Sequence, residues 1–133
     1  MNLRPEDDEH DKKAGVVLMD KDNYILFIQQ KSNLNWSLPK GSLKKGETYL
    51  EGAKREMLEE TGIAVSPFTC TKQIYFYQQH AHYIFYVYKM DISRQEVVVN
   101  SDDIVGFMWL KKNQFHEKKK TNLVTKLMME IDL

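Results

Sequence analysis

Between Gly41 and Ile63 the chain reads GSLKKGETYLEGAKREMLEETGI, and this stretch constrains it more than any other. Gly41 and Gly46 punctuate the entry, and Gly62 stands where a helix C-cap glycine belongs. Apart from Gly52, the residues from Thr48 to Thr61 are good helix formers, so the spacing predicts loop, helix, loop. At ~100° per residue, Glu56, Glu59 and Glu60 share an arc of roughly 100° on one face. Leu50, Ala53, Met57 and Thr61 form an adjoining stripe that is expected to be buried. Gly52 projects one turn before the carboxylates, where a side chain would crowd whatever they hold.

Like charges at i,i+3 and i,i+4 cost a few tenths of a kcal/mol per pair. Two readings fit: a solvated acidic face, or a cluster that a hard divalent cation neutralises. Several carboxylates with only oxygen donors suit Mg²⁺ or Mn²⁺ better than zinc. The surroundings favour the second. The stretch fits Gly-x5-Glu-x7-Arg-Glu-U-x-Glu-Glu-x-Gly-U, with U aliphatic, at Gly41, Glu47, Arg55, Glu56, Met57, Glu59, Glu60, Gly62 and Ile63. This motif resembles the Nudix box.

The resemblance implies an α/β protein, a Nudix-type α/β/α sandwich with a central mixed β-sheet and the box helix on one face. It implies a Mg²⁺- or Mn²⁺-dependent hydrolase that directs water onto phosphorus in a phosphoanhydride. Glu56, Glu59 and Glu60 would be the metal ligands, with Gly41 giving a backbone carbonyl or a sharp turn. Arg55 would pair with Glu47 and orient the glutamates. Glu56 and Asp103 are the candidates for the general base. In many members an acidic residue in a loop before an aromatic-ended strand reaches the metal; Asp103, or else Asp102, occupies that place here.

The approach to the box, Trp36-Ser-Leu-Pro-Lys-Gly41, resembles that of members acting on dinucleoside polyphosphates and of mRNA-decapping members. Lys40 there either meets a phosphate or is a surface lysine beside a structural Pro-Gly. Trp36 is a packed anchor or a stacking platform. Tyr75, Tyr77 and Tyr83 are sheet residues or stack on a base. The chain lacks the Ser-Gln-Pro-Trp-Pro signature of NADH-type members, and Tyr77 to His80 replaces the proline of ADP-ribose-type members. The expected substrate is therefore a small-molecule polyphosphate, either a dinucleoside polyphosphate such as diadenosine tetraphosphate or a diphosphoinositol polyphosphate. A cap or nucleoside triphosphate hydrolase, or a non-catalytic nucleotide-binding module, is the alternative.

The remainder frames one domain over 13–133 behind a charged tail, 1–12. Ala14–Met19 and Tyr24–Gln30 read as a hairpin, and Lys31–Lys40 as a loop. Phe68–Gln78 and Ala81–Met90 read as two long strands joined at Gln79-His80. Tyr83–Tyr88, large and apolar nearly throughout, reads as a central strand. Residues 100–110 read as a loop entering a strand, and 118–133 as an amphipathic helix. Lys12, Lys13 and Lys118–Lys120 read as solvated, His80 and His82 as surface residues rather than zinc ligands, and Cys70 as a small core residue.

Lys plus Arg and Asp plus Glu both count 19, so net charge is zero, and no basic accessory region is evident; both count against a long RNA ligand. A lone cysteine allows no internal disulfide. No apolar run reaches a membrane span, and the N-terminal residues lack a signal peptide's apolar region. A cytoplasmic or nuclear location is expected. Oligomeric state is left open.

Overall fold

A computed structural model describes residues 11–90, 97–98, 101–111 and 114. The elements in order are β1 (Asp11–Met19), β2 (Tyr24–Gln30), β3 (Trp36–Ser37), β4 (Lys40–Ser42), α1 (Tyr49–Thr61), β5 (Thr69–Gln78), β6 (Ala81–Lys89) and β7 (Ile104–Lys111). The expected C-terminal helix, the Lys118–Lys120 run and most of the expected tail lie outside the described residues. Asp11 and Lys12, placed in the tail by the sequence, belong to β1.

All seven strands form one sheet, with the path β3-β2-β1-β6-β5; β4 pairs with β1 and β7 with β2. The sheet is mixed: β1 and β6 run parallel from Asp11↔Ala81 to Met19↔Lys89, and the other pairs are antiparallel. Strand β6 lies between β1 and β5 and is buried along most of its length, as an inner strand of a mixed sheet should be. The β5–β6 hairpin turns at Gln79 and His80, both with positive φ (53° and 59°), the backbone twist that suits a two-residue hairpin.

Alternation along the strands divides the core between the two faces. Ala14, Val16, Leu18, Tyr86 and Tyr88 pack with Ala53 and Met57 of α1. Val17, Met19, Ile25, Phe27, Phe85 and Val87 form the core on the other face, with Trp36 and Leu110 at its margin. The helix stripe is largely the expected one: Ala53, Met57 and Thr61 are fully buried, whereas Leu50 is only partly so.

Helix α1 starts at a capping box. The Thr48 hydroxyl accepts from the Glu51 N–H, and the Glu51 carboxylate accepts from the Thr48 N–H. It stops at Gly62, whose φ of 74° closes the helix with an N–H to the Leu58 carbonyl.

One irregularity positions the site. Along one edge, β1 pairs with β2 only at Met19↔Ile25, while its other end, Lys13–Gly15, pairs with Ser42–Lys40 of β4. The segment expected to be a plain loop therefore holds two short strands, β3 on β2 and β4 on β1, with Leu38 and Pro39 crossing between them. The Pro39 carbonyl accepts from the Val16 N–H at 3.0 Å. A cleft opens where the sheet splits.

Three further expectations need correction. Cys70 is exposed rather than buried, because β5 is an edge strand with a register shift between Cys70 and Lys72. His82 is fully buried rather than on the surface; its Nδ1 is hydrogen-bonded to the Tyr75 hydroxyl at 2.6 Å. Lys13 is half-buried, with its ammonium 5.8 Å from the centre of the Tyr83 ring, an arrangement that favours the charge. Among the described residues, no helix is long and apolar enough to cross a membrane.

Candidate active site

Strand β4 runs back along α1 and meets a new helical turn at nearly every step. The Lys40 N–H donates to Glu60 Oε1 at 2.9 Å. A Cβ on Gly41 would fall within the Glu56 carboxylate. The Ser42 carbonyl accepts from Arg55 Nη2 at 3.0 Å. At the next turn, a Cβ on Gly52 would lie 3.2 Å from Leu43 Cγ and 3.1 Å from Glu47 Oε1. The Gly52 expectation is thus corrected: the missing side chain makes room for the box loop, not for whatever the carboxylates hold. Gly41 is not a sharp turn either, since the positive-φ glycines among the described residues are Gly46 and Gly62.

Arg55 is the hub. It donates from Nε to Glu47 Oε2 at 2.7 Å, from Nη2 to Glu47 Oε1 at 3.0 Å and from Nη1 to Glu56 Oε1 at 2.8 Å. Glu59 receives longer bonds from Nη1, at 3.3 Å. A planar guanidinium can serve this many acceptors at once and an ammonium cannot. The Arg55 fork holds the Glu47 carboxyl down at about 2. The expected pairing of Arg55 with Glu47 and with the helix glutamates is present.

Glu60 lies deeper, at 8% exposure. Burial, with the Glu56 and Asp103 charges adding to it, pushes its carboxyl up to about 8 against the opposing hydrogen bond from Lys40. Burial also raises the Glu56 carboxyl above the usual range, with Arg55 pulling the other way. The Lys40 ammonium is lowered, first by burial and then by the nearby charge of Lys13.

The cleft at the split encloses about 220 Å³, and Lys40, Glu60, Asp103, Gln30 and Ser32 line it with an apolar back that includes Leu38. Asp103, carried on the loop before β7, has its carbonyl bonded to the Lys31 N–H at 2.8 Å. Asp102 is not among the lining residues. Of the expected substrate contacts, Lys40 is in this cleft and the other three are not. Trp36 packs at the margin of the core, Tyr83 is core at 7% exposure, and Tyr77 lies on the far edge strand with its ring 4.7 Å from that of His82. The sequence reading missed Gln30 and Ser32, because only the split in the sheet brings them to the cleft beside Glu60.

The donor set suits a hard cation in kind. It is all oxygen, with the buried Glu60 carboxyl interacting with the charges of Glu56 and Asp103. Its geometry is not yet gathered: among the described residues, no three acidic or histidine side chains converge tightly enough to hold an ion. Arg55 bonds to both Glu56 and Glu59, and Glu59 is half exposed.

Comparison with known proteins agrees with this architecture. The NUDIX domain family model matches residues 9–130. An RNA pyrophosphohydrolase of Pelagibacter ubique (strain HTCC1062) is 41% identical over 52 residues, 38% of this chain and 33% of that protein. One from Erythrobacter litoralis (strain HTCC2594) is 36% identical over 62 residues, 44% of this chain and 38% of that protein. The match thus spans little more than a third of these relatives' length. A C. elegans Ap4A hydrolase binary complex superposes with a TM-score of 0.74 at 19% identity, covering 90% of this chain and 93% of that one. The E. coli dihydroneopterin triphosphate pyrophosphohydrolase gives a TM-score of 0.72 at 20% identity, covering 90% and 93%. At these identities the likeness is one of fold. A family model spanning nearly the whole chain, a helix carrying the complete box and a mixed sheet behind it place the chain in the Nudix hydrolase family.

Proposed function

We propose that the chain is a Mg²⁺- or Mn²⁺-dependent pyrophosphohydrolase of linear nucleoside polyphosphates, with dinucleoside polyphosphates such as diadenosine tetraphosphate as the leading substrates. The observation that carries this reading is the cleft lined by Glu60, Asp103 and Lys40, with the Glu56 charge acting on Glu60 from beside it. Acid groups gather there to take up cations, and a lysine stands by for a phosphate.

The protein's own residues divide the work. Glu56, Glu59 and Glu60 would hold the cation. When bound, it neutralises phosphate charge and acidifies the attacking water. Arg55 keeps Glu56 in place from behind and relieves its repulsion with Glu59. Lys40 anchors Glu60 through its backbone N–H and keeps its ammonium for a phosphate oxygen. Asp103 or Glu56 would take the proton of the water. The cleft's apolar back limits bulk water around the reacting groups.

A second reading, removal of pyrophosphate from a 5′-triphosphorylated RNA, is favoured by the curated relatives, whose match includes RNA pyrophosphohydrolases. The shared chemistry is a polyphosphate on a nucleoside 5′ oxygen. The test is product analysis by ion-exchange chromatography with Mg²⁺ and Glu60→Gln as control. The panel is diadenosine tetraphosphate, a 5′-triphosphate oligoribonucleotide, a diphosphoinositol polyphosphate, capped RNA, ADP-ribose and nucleoside triphosphates. Cleavage of diadenosine tetraphosphate by the parent and not by the variant is the expected result. Preference for the oligoribonucleotide transfers the assignment to RNA. A folded protein that cleaves nothing and binds no Mg²⁺ overturns both readings in favour of a binding module.

A further inference from the structure

A second cleft, of about 320 Å³, opens past the other end of β4, and Asp11, Lys12, Ser42, Lys44, Lys45 and Glu47 line it. Its cations come from two separate segments: Lys12 from β1, and Lys44 and Lys45 from the loop that enters α1. Alternation along β1 sends Lys13 toward Tyr83 and Lys40, and Lys12 to the α1 side with Ala14.

The cleft's own carboxylates do little to balance these charges. Glu47 is taken by the Arg55 fork and by the Lys44 backbone N–H, at 2.9 Å. Among the described residues, three lysines and the carboxylates of Asp11 and Glu47 line the cleft, and Glu47 is held by Arg55. A merely solvated face gives no reason for lysines from β1 and from the loop to line one concavity.

The two clefts are joined by β4. Lys40 lines the first, Ser42 the second, and Gly41 with the Glu56 carboxylate lies between. At about 3.3 Å per strand residue Lys40 and Ser42, where the two clefts come nearest along β4, are about 7 Å apart, a span that a short run of linked phosphates covers. A substrate with its scissile bond at the glutamates therefore brings its outlying phosphates to the lysines.

We propose that the Lys12–Lys44–Lys45 cleft is a second phosphate subsite, which holds phosphate groups of the substrate beyond those at the bond cleaved. This rests on the proposed hydrolysis of a linear polyphosphate and adds a consequence: the protein selects for chain length. Longer polyphosphates gain contacts at these lysines, and the shortest gain none.

The test uses the full chain with Lys44→Gln and Lys45→Gln combined. Both changes remove the charge, keep an unbranched polar side chain and leave the Lys44 backbone bond to Glu47 intact. Lys21→Gln, in the β1–β2 turn, controls for lost charge. For diadenosine tetraphosphate and pentaphosphate, KM is expected to rise about tenfold with kcat unchanged, and for diadenosine triphosphate to stay near the parent value. Separately, calorimetric binding of inorganic tripolyphosphate is expected to weaken about tenfold in the double variant and not in Lys21→Gln. An equal KM change for all three dinucleotides, or none, overturns the subsite. If the parent cleaves no substrate, the hydrolase reading fails and tripolyphosphate binding decides the subsite alone. Loss confined to the double variant supports it, and equal binding in all three proteins refutes it.

Discussion

The carboxylate of Glu56 occupies the space that a Cβ on Gly41 would fill. Strand and helix approach so closely here that the strand needs a residue with no side chain. Because Gly41 does not use the left-handed region, alanine is admissible to its backbone, and the cost falls on Glu56 alone. Gly41→Ala is expected to displace that carboxylate and lower kcat by about a hundredfold while the protein stays folded. Steady-state kinetics with a thermal melt checks this; parent-like turnover would mean that Glu56 has no need of that position.

Arg55 makes a comparable claim on geometry. Arg55→Lys keeps the charge and loses the fork that reaches Glu47, Glu56 and the Ser42 carbonyl together. The expected outcome is a loss of about 1–3 kcal/mol of stability and a clear fall in kcat. Chemical denaturation measures the first. If lysine restores both quantities, charge alone is the function and the bidentate geometry is irrelevant.

The pH dependence of the metal-free protein follows from Glu60. Its folded carboxyl titrates at about 8, above the ordinary glutamate value of 4.5. The folded state keeps this proton to higher pH than the unfolded chain does, so the unfolded chain gains as pH rises between those values. Melting temperature in a chelator is therefore expected to fall from the lower value toward the upper one. Glu60→Gln should flatten that slope and melt higher than the parent near pH 8. A slope unchanged by the substitution would assign it to other groups.

Tyr75 separates a structural tyrosine from a binding one. Its hydroxyl is hydrogen-bonded to the fully buried His82. Tyr75→Phe is expected to cost about 1–3 kcal/mol of stability with KM unchanged. A raised KM at unchanged stability would instead assign the hydroxyl to substrate binding.

Most of the box was legible because it is local, the roles of Gly41 and Gly52 excepted. Helix, C-cap glycine and acidic face lie within 23 consecutive residues, where spacing fixes geometry, and the Arg55–Glu47 pairing followed from the motif's resemblance. Strands β1, β2, β5, β6 and β7 were legible from apolar runs. What the sequence hid depends on distant partners. The split of the sheet, which makes β3 and β4 out of an expected loop, exists only because β1 ends its pairing with β2. Cys70 and His82 exchanged their expected burial because edge and inner strands share the same aromatic and β-branched composition. Trp36, Tyr77 and Tyr83 carried the right chemistry for a base and lie outside the cleft, a matter of topology that residue type does not encode.

The parallel pairing of β1 with β6 also sets an order of events. Asp11 meets Ala81 and Met19 meets Lys89, each across some seventy residues, and the whole box lies inside that span. Helix α1 forms from neighbours; the sheet it rests on closes only when β6 has emerged and docked, a slow step of high contact order with a large loop-closure entropy. A chain still being synthesised therefore carries the complete acidic helix well before the sheet that seats it. The acidic helix is thus seated only once β6 has docked on β1, so the site's geometry waits on a strand some seventy residues downstream of its partner.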